Sequence, residues 1–161
     1  MNEDTEQTYI DEGDQLIAQG DFDGAIAVYN RAISSEPSDG FIFQLRGDAY
    51  KLKEDFDSAI ADYTKAISLY DDDEDRAMAH IYRAVIYIIK SDYHNVMADA
   101  NAAIKTGHLL DNAYLTRGIA YVNLGPMGQA FEDWKTAANH GSKGALKKLE
   151  EYGINYTPLK K

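Results

Sequence analysis

The run DDDEDR at residues 71–76 is the densest cluster of potential metal ligands in the sequence. A calcium loop of the helix–loop–helix type needs Gly at its sixth position and a bidentate Glu at its twelfth. The residues there are Arg76 and Tyr82. The run therefore reads as a solvated loop whose acids cap the following helix and complement its dipole. The four histidines are His80, His94, His108 and His140, three of them spaced by fourteen. A helical zinc site wants two on one face at i and i+4, and no pair has that spacing. With no cysteine in the chain, disulfides, thiolate zinc sites and cysteine nucleophiles are excluded. No G-x-S-x-G, phosphate-binding loop or dinucleotide fingerprint is present. The expectation is a protein that is not an enzyme, with no catalytic residues, no metal and no cofactor.

Charge narrows the partners. The 161 residues carry 16 Lys and Arg against 27 Asp and Glu, a formal charge of −11. Phosphate binding needs clustered Lys and Arg, which argues against nucleic acid, and anionic membrane surfaces are disfavoured for the same reason. The longest strongly apolar run, Ala84–Ile89, is six residues; a membrane span needs about 20, so no membrane insertion is expected. The N-terminus MNEDTEQTYI is acidic and has no apolar stretch of the secretory kind. This predicts the cytoplasm, or the periplasm or secretion if a leader has been removed.

The elements follow from self-similarity. DFDSAIADYTKAI at 55–67 rewrites DFDGAIAVYNRAI at 21–33. Gly13 and Gly47 lie 34 apart, as do Phe22 and Phe56, Ala25 and Ala59, Tyr29 and Tyr63, and Ala32 and Ala66. The pattern then slips by three around 71–75, so that Ala84 is 37 after Gly47 and Tyr93 is 37 after Phe56, and returns to 34 from Ala84 to Gly118 and Ala100 to Trp134. Apolar residues at three- and four-residue spacing within each copy predict two helices per copy. The expected helices are 6–19, 22–35, 40–53, 56–69, 76–90, 93–106, 111–124, 127–140 and 142–152. Gly20 and Gly125 suit C-terminal caps, Asp21, Asp55, Asp92 and Ser142 suit N-caps, and Pro126 suits a first helical turn. Residues 1–5 and 154–161 are expected to be frayed tails.

Small residues have a mechanical reason. Antiparallel helices approach closely only where side chains are small, which suits Gly13, Gly47, Ala84 and Gly118 in the first helices and Ala25, Ala59 and Ala130 in the second. Aromatics at 29, 63 and 134 then fill the space between successive hairpins. Val96 and Ala100 depart from this in the third copy, whose packing should be less regular. On the fifth helix, Ala84 and Tyr87 suffice to pack against a partner helix. The stripe Met78, Ile81, Val85 and Ile88 is surplus. A helix apolar on more than one face is buried or is a binding surface. Three readings remain open: a groove for an amphipathic helix or extended apolar segment, burial by the ninth helix or by neighbouring first helices, and self-association. The groove reading requires these side chains to be at least partly exposed.

The 34-residue helix–turn–helix resembles the tetratricopeptide repeat. The best matches are Tyr9, Gly13, Gly20, Phe22, Ala25, Tyr29, Ala32 and Pro37 in the first copy and Phe43, Gly47, Tyr50, Phe56, Ala59, Tyr63 and Ala66 in the second. The third departs at Val96 and Ala100, the fourth at Met127 and Phe131. The resemblance implies an all-α, right-handed α-solenoid of antiparallel helix pairs. It would form a single domain over 1–161, with repeats at about 6–39, 40–73, 77–110 and 111–144 and a solvating cap at 142–152. It also implies a concave groove lined by the first helices and a role in binding peptides or proteins.

Carried onto this sequence, the family's groove stripes are Gln7, Ile10, Asp14 and Ile17; Phe41, Gln44, Asp48, Lys51 and Leu52; Met78, Ile81, Val85, Ile88 and Ile89; and Asn112, Leu115, Ile119, Val122 and Asn123. Asp14 and Asp48 make the N-terminal half mixed, and the C-terminal half is almost entirely apolar. The implied partner is a protein or peptide, apolar with some Lys or Arg opposite Asp14 and Asp48; a homodimer is an alternative. One branch of the family clamps the C-terminal carboxylate of chaperone tails with Lys, Asn and Arg. The matching positions here are Ile10, Asp14, Leu45, Met78 and Tyr82, which offer no ammonium, amide or guanidinium, so chaperone-tail binding is not expected. Size, acidity and repeat also resemble small secretion chaperones. A scaffold assembling through the apolar stripe is the further alternative.

Overall fold

The computed structural model describes residues 3–159. They form nine helices and no strand: α1 (Glu3–Ala18), α2 (Phe22–Ser35), α3 (Gly40–Leu52), α4 (Phe56–Leu69), α5 (Asp73–Ile89), α6 (Tyr93–Thr106), α7 (Leu110–Leu124), α8 (Met127–Asn139) and α9 (Lys143–Glu151). The chain divides into two compact units, residues 1–75 and 76–161, where a single domain was expected from the repeat. The division falls where the three extra residues interrupt the 34-residue period.

Local chemistry sets the helix ends. The first backbone N–H groups of a helix have no partner within it. Here the Asp21 carboxylate accepts from Gly24 N–H at 2.9 Å, Asp55 from Ser58 at 3.2 Å and Asp92 from Asn95 at 3.3 Å. The Ser142 hydroxyl caps Ala145 at 3.4 Å. Between the two helices of each copy the chain takes the same left-handed residue, at Gly20 (φ 77°), Glu54 (φ 65°), Ser91 (φ 56°) and Gly125 (φ 113°). Glycine adopts that conformation without cost, and Glu54 and Ser91 do not.

Three details differ from the sequence-based expectation. The acidic run is mostly helix, because Asp73–Asp75 form the first turn of α5 and the Asp72 carboxylate accepts from Glu74 and Asp75 N–H at 2.7 and 3.2 Å. Pro126 precedes the first helical residue, Met127, instead of lying inside the first turn. Residues 154–159 are anchored at three points, not frayed along their length. Ile154 and Tyr156 lie against the core around Trp134, and the Asn139 side-chain carbonyl accepts from the Tyr156 hydroxyl at 3.0 Å and from Leu159 N–H at 2.9 Å. Residues 160 and 161 of that expected tail, and residues 1 and 2 of the other, lie outside the described residues.

Each unit is held by two recurring devices. The first pairs a small residue with the residue sixteen further on. In residues 1–75, Gly13 faces Tyr29 and Gly47 faces Tyr63; in residues 76–161, Gly118 faces Trp134. These aromatics are at most 1% exposed. In the third copy Ala84 is fully buried in a cluster with Val96 and Ala120, and Ala100, sixteen residues on, is fully buried too. The third copy thus lacks the aromatic that faces the small residue in the other three. The second device is a bidentate arginine–aspartate clasp between the helices of a copy, joining Arg46 to Asp62 (2.7 and 2.6 Å), Arg83 to Asp99 (2.9 and 2.6 Å) and Arg117 to Asp133 (2.7 and 2.8 Å). Arg46 and Arg117 also donate to Asn30 and Asn101 of the preceding second helix. The planar guanidinium fork matches a carboxylate geometrically, and such pairs are the stronger class of hydrogen bond.

Candidate functional site

In residues 1–75 the groove positions are largely engaged with their own unit. The exposed Asp14 carboxylate hydrogen-bonds the Tyr29 hydroxyl. Burial first, then the charge of Asp14 and its hydrogen bond, then the charge of Asp48, push Tyr29 up to about 12. Asp48 accepts from the Tyr63 hydroxyl at 2.9 Å and is paired with Lys51. Its charge is therefore already matched within the chain. Ile17 is half-buried against the core around Ala25 and Tyr29. Phe41 is exposed on α3. Gln44 is not a groove residue. It is buried, and its side-chain carbonyl accepts from the Tyr70 hydroxyl at 3.0 Å.

In residues 76–161 the apolar stripe splits in two. Ile81 is 8% exposed, packed against Ala77, Ala103 and Ala113 with Ile104 and Leu109 around it. The expectation that it lines an open groove is corrected, because α6 and α7 bury it. Met78 is half-buried. Val85 and Ile89 stay open, at 40% and 53% exposed. Leu115 is half-buried; its carbonyl accepts from the Trp134 indole N–H at 3.2 Å, and its side chain lies beside Gly144 of α9. The ninth helix thus covers part of the stripe.

What remains is a cleft of about 430 Å³ lined by Ile88 of α5, Ile119, Val122 and Asn123 of α7, Trp134 of α8, and Lys148, Glu151 and Tyr152 of α9. Four expected groove residues, Ile88, Ile119, Val122 and Asn123, come together in it. Sequence reasoning missed Trp134, Lys148, Glu151 and Tyr152, having assigned Trp134 to packing and α9 to a solvating cap. The available signal was Tyr152, a large apolar residue one turn beyond the Lys147–Lys148 pair. Phe131, Trp134 and Tyr152 form an aromatic cluster with ring centroids 5.6–6.1 Å apart, which fixes the aromatic end of the cleft. Lys148 donates to Glu151 at 2.8 Å along the α9 wall. Among the described residues, no group of three or more His, Asp or Glu could hold a metal ion, and no helix is long and apolar enough to cross a membrane.

The sequence model of the Tetratricopeptide repeat family matches residues 7–39 and 42–73. No curated protein matches the chain. Solved structures agree on the fold. MamA from Desulfovibrio magneticus RS-1, residues 41 to its end, is 16% identical with a TM-score of 0.74, covering 88% of this chain and 78% of that one. A second MamA crystal structure is 21% identical with a TM-score of 0.69, covering 88% and 85%. The TPR2B domain of yeast Sti1, in a complex with pHsp70, is 21% identical with a TM-score of 0.56, covering 84% and 98%. The class that fold and repeats define is the all-α solenoid built from antiparallel helix pairs. Residues 7–39 and 42–73 match the tetratricopeptide repeat, and the solved structures are similar to the chain in fold.

Proposed function

We propose that this chain is a non-enzymatic protein-interaction module that holds a segment of a partner protein against the first-helix faces of its repeats. The observation that carries this reading is the uncovered apolar face of α5, where Val85 and Ile89 stay 40% and 53% exposed although Ile81 and Ile86 of the same helix are buried. A solvated helix face built from β-branched side chains marks an interaction surface. The Sti1 domain of the same fold, solved in complex with pHsp70, supports the class of function. Asp14, Ile17, Phe41 and Lys51 are the contributors in residues 1–75, and Val85, Ile88, Leu115, Ile119 and Val122 those in residues 76–161. Asp14 is the acid placed to meet a basic partner residue, since Asp48 is matched by Lys51.

Affinity capture from lysate tests this with the pair Val85→Glu/Val122→Glu, which avoids the buried Ile81 and is checked for folding by circular dichroism. A protein retained by the wild type and lost by the variant supports the reading; equal capture by both overturns it for residues 76–161. Self-association is favoured by a separate observation. Residues 1–75 hold 20 acidic and 5 basic side chains, a net of −15, whereas residues 76–161 hold 7 and 11, a net of +4. Opposite charge on two parts of one chain can attract a second copy, most strongly at low salt. Solution mass that rises with concentration at low ionic strength and falls in high salt would establish it.

A further inference from the structure

Helix α9 ends in the turn that elsewhere leads into a second helix, and an extended segment follows instead. Helices α1, α3 and α5 end at the left-handed residues Gly20, Glu54 and Ser91. The next N–H then bonds the carbonyl five residues back: Asp21 to Leu16 at 2.9 Å, Asp55 to Tyr50 at 2.9 Å and Asp92 to Tyr87 at 2.8 Å. The end of α9 repeats this, with Gly153 at φ 73° and the Ile154 N–H on the Leu149 carbonyl at 2.9 Å. In the earlier turns the aspartate caps the second helix. Ile154 stands in its place without a side-chain oxygen to do so, and Pro158 biases Thr157 towards extended backbone. Ile154, Tyr156 and Pro158 are half-buried while Asn155, Thr157 and Leu159 are exposed, the two-residue alternation of an extended chain. We propose that residues 154–159 are an exchangeable strap: they close the α8–α9 face of their own copy, and the same residues of a second copy close it in a tail-exchanged dimer.

Three observations carry it. The fit between strap and face is already made. Ile154 and Tyr156 pack on the core of Trp134, Ala138 and Leu149, and the Asn139 side-chain carbonyl accepts from the Tyr156 hydroxyl at 3.0 Å and from the Leu159 N–H at 2.9 Å. A second copy carries the same segment, so exchange keeps each of these contacts. The hinge is a glycine. Gly153 changes φ and ψ without the penalty a Cβ imposes, so the strap swings out while α9 keeps its Ser142 cap. Finally, the side chain of Asn139, at the end of α8, holds the strap, so its departure breaks no helical hydrogen bond there. Exchange of an identical element between protomers is a low-cost route to a dimer. No α5 residue takes part, so failure of the exchange leaves the interaction-module reading standing.

Two full-length variants separate strap from face. Ile154→Ala/Tyr156→Ala spoils the strap and keeps the face; Asn139→Ala weakens the face and keeps the strap. Both are checked for folding by circular dichroism, and sedimentation equilibrium is run on each alone and on their mixture. Each alone should be monomeric. The mixture should form a heterodimer, because the strap of the Asn139 variant closes the empty face of the other. A fluorescein-labelled synthetic peptide of residues 153–159, blocked at both ends, should bind the strap variant saturably. It should bind the wild type at least about tenfold more weakly, since a tethered strap competes at an effective concentration on the order of mM. The same peptide with Ile154→Ala and Tyr156→Ala should not bind. If the double variant loses its helix signal, Tyr156→Phe, which removes the hydroxyl alone, replaces it in the mixture with the same expectation. No heterodimer up to about 1 mM protein overturns the exchange, and peptide binding without one confines the strap to its own copy. A strap variant that dimerises alone overturns it as well, because no strap is there to exchange. Extra mass in the mixture that vanishes in high salt overturns it in favour of charge attraction between copies.

Discussion

Replacing Gly118 by alanine should destabilise residues 76–161, and removing Trp134 should reverse the sign of that effect. A methyl group at 118 would lie 2.3 Å from the indole Nε1 and 2.5 Å from Cδ1 of Trp134. Unstrained contacts sit near 3.5–4 Å, so the ring must move by roughly 1 Å. The ring is 1% exposed and its N–H is held by the Leu115 carbonyl at 3.2 Å, so movement loses both packing and a buried hydrogen bond. Overpacking costs about 2 kcal/mol and the hydrogen bond about 1 kcal/mol. The better helix propensity of alanine returns about 1 kcal/mol. The net expectation for Gly118→Ala is a loss of about 2 kcal/mol. In a Trp134→Ala background only the propensity gain survives, so the same change should stabilise by about 1 kcal/mol, a coupling of about 3 kcal/mol. Urea unfolding followed by far-ultraviolet circular dichroism measures both. The midpoint should fall by about 1 M in the first case, given a slope near 2 kcal/mol per M. A neutral Gly118→Ala, or the same loss with and without the indole, would refute the account of how glycine and aromatic are matched.

The turn positions give a second test. Glu54→Gly and Ser91→Gly should each raise stability by about 1 kcal/mol, because relief of the left-handed strain exceeds the entropy cost of glycine; urea midpoints that fall instead would show that the turn stores no strain. Asp133→Ala leaves the Arg117 guanidinium, with a side chain 22% exposed, without its bidentate partner, and should cost about 2–3 kcal/mol, read in the same unfolding assay. Ultraviolet difference titration of the tyrosines should find Tyr29 ionising near 12, and Asp14→Asn should bring it down by removing the carboxylate charge. Because the folded value lies above the ordinary 10.0, the stability that Tyr29 contributes is full below pH 10 and is lost as pH rises through 12. A Tyr29→Phe variant should lack that loss.

Helices α2, α4 and α6 run over the residues that spacing alone predicts, because the two signals that define them are local. Their N-cap aspartates and three-to-four apolar period both act within a few residues. The arginine–aspartate clasps are periodic too, since Arg46, Arg83 and Arg117 follow the same 37- and 34-residue steps as Asp62, Asp99 and Asp133. The site was less legible. Ile81 and Val85 sit four apart on one helix with similar side chains, yet one is buried and the other open. Which of them faces α6 and α7 depends on how those helices dock, and that is a long-range property.

The sequence by itself determined the class of protein: an all-α array of helix pairs, acidic, free of cysteine, with a surplus apolar face in its second half. Those features reside in local periodicity, caps and composition, each decided over fewer than about ten residues. Only the tertiary structure decided which parts of that face are buried and which stay open. It buried Ile81 and Gln44, matched Asp48 with Lys51 and Tyr63, and brought α9 beside α5 and α7 to enclose a cleft with Trp134 at its wall. A cleft is the space left after side chains distant in sequence have packed, and its shape and charge follow from the docking of helices that no local pattern encodes.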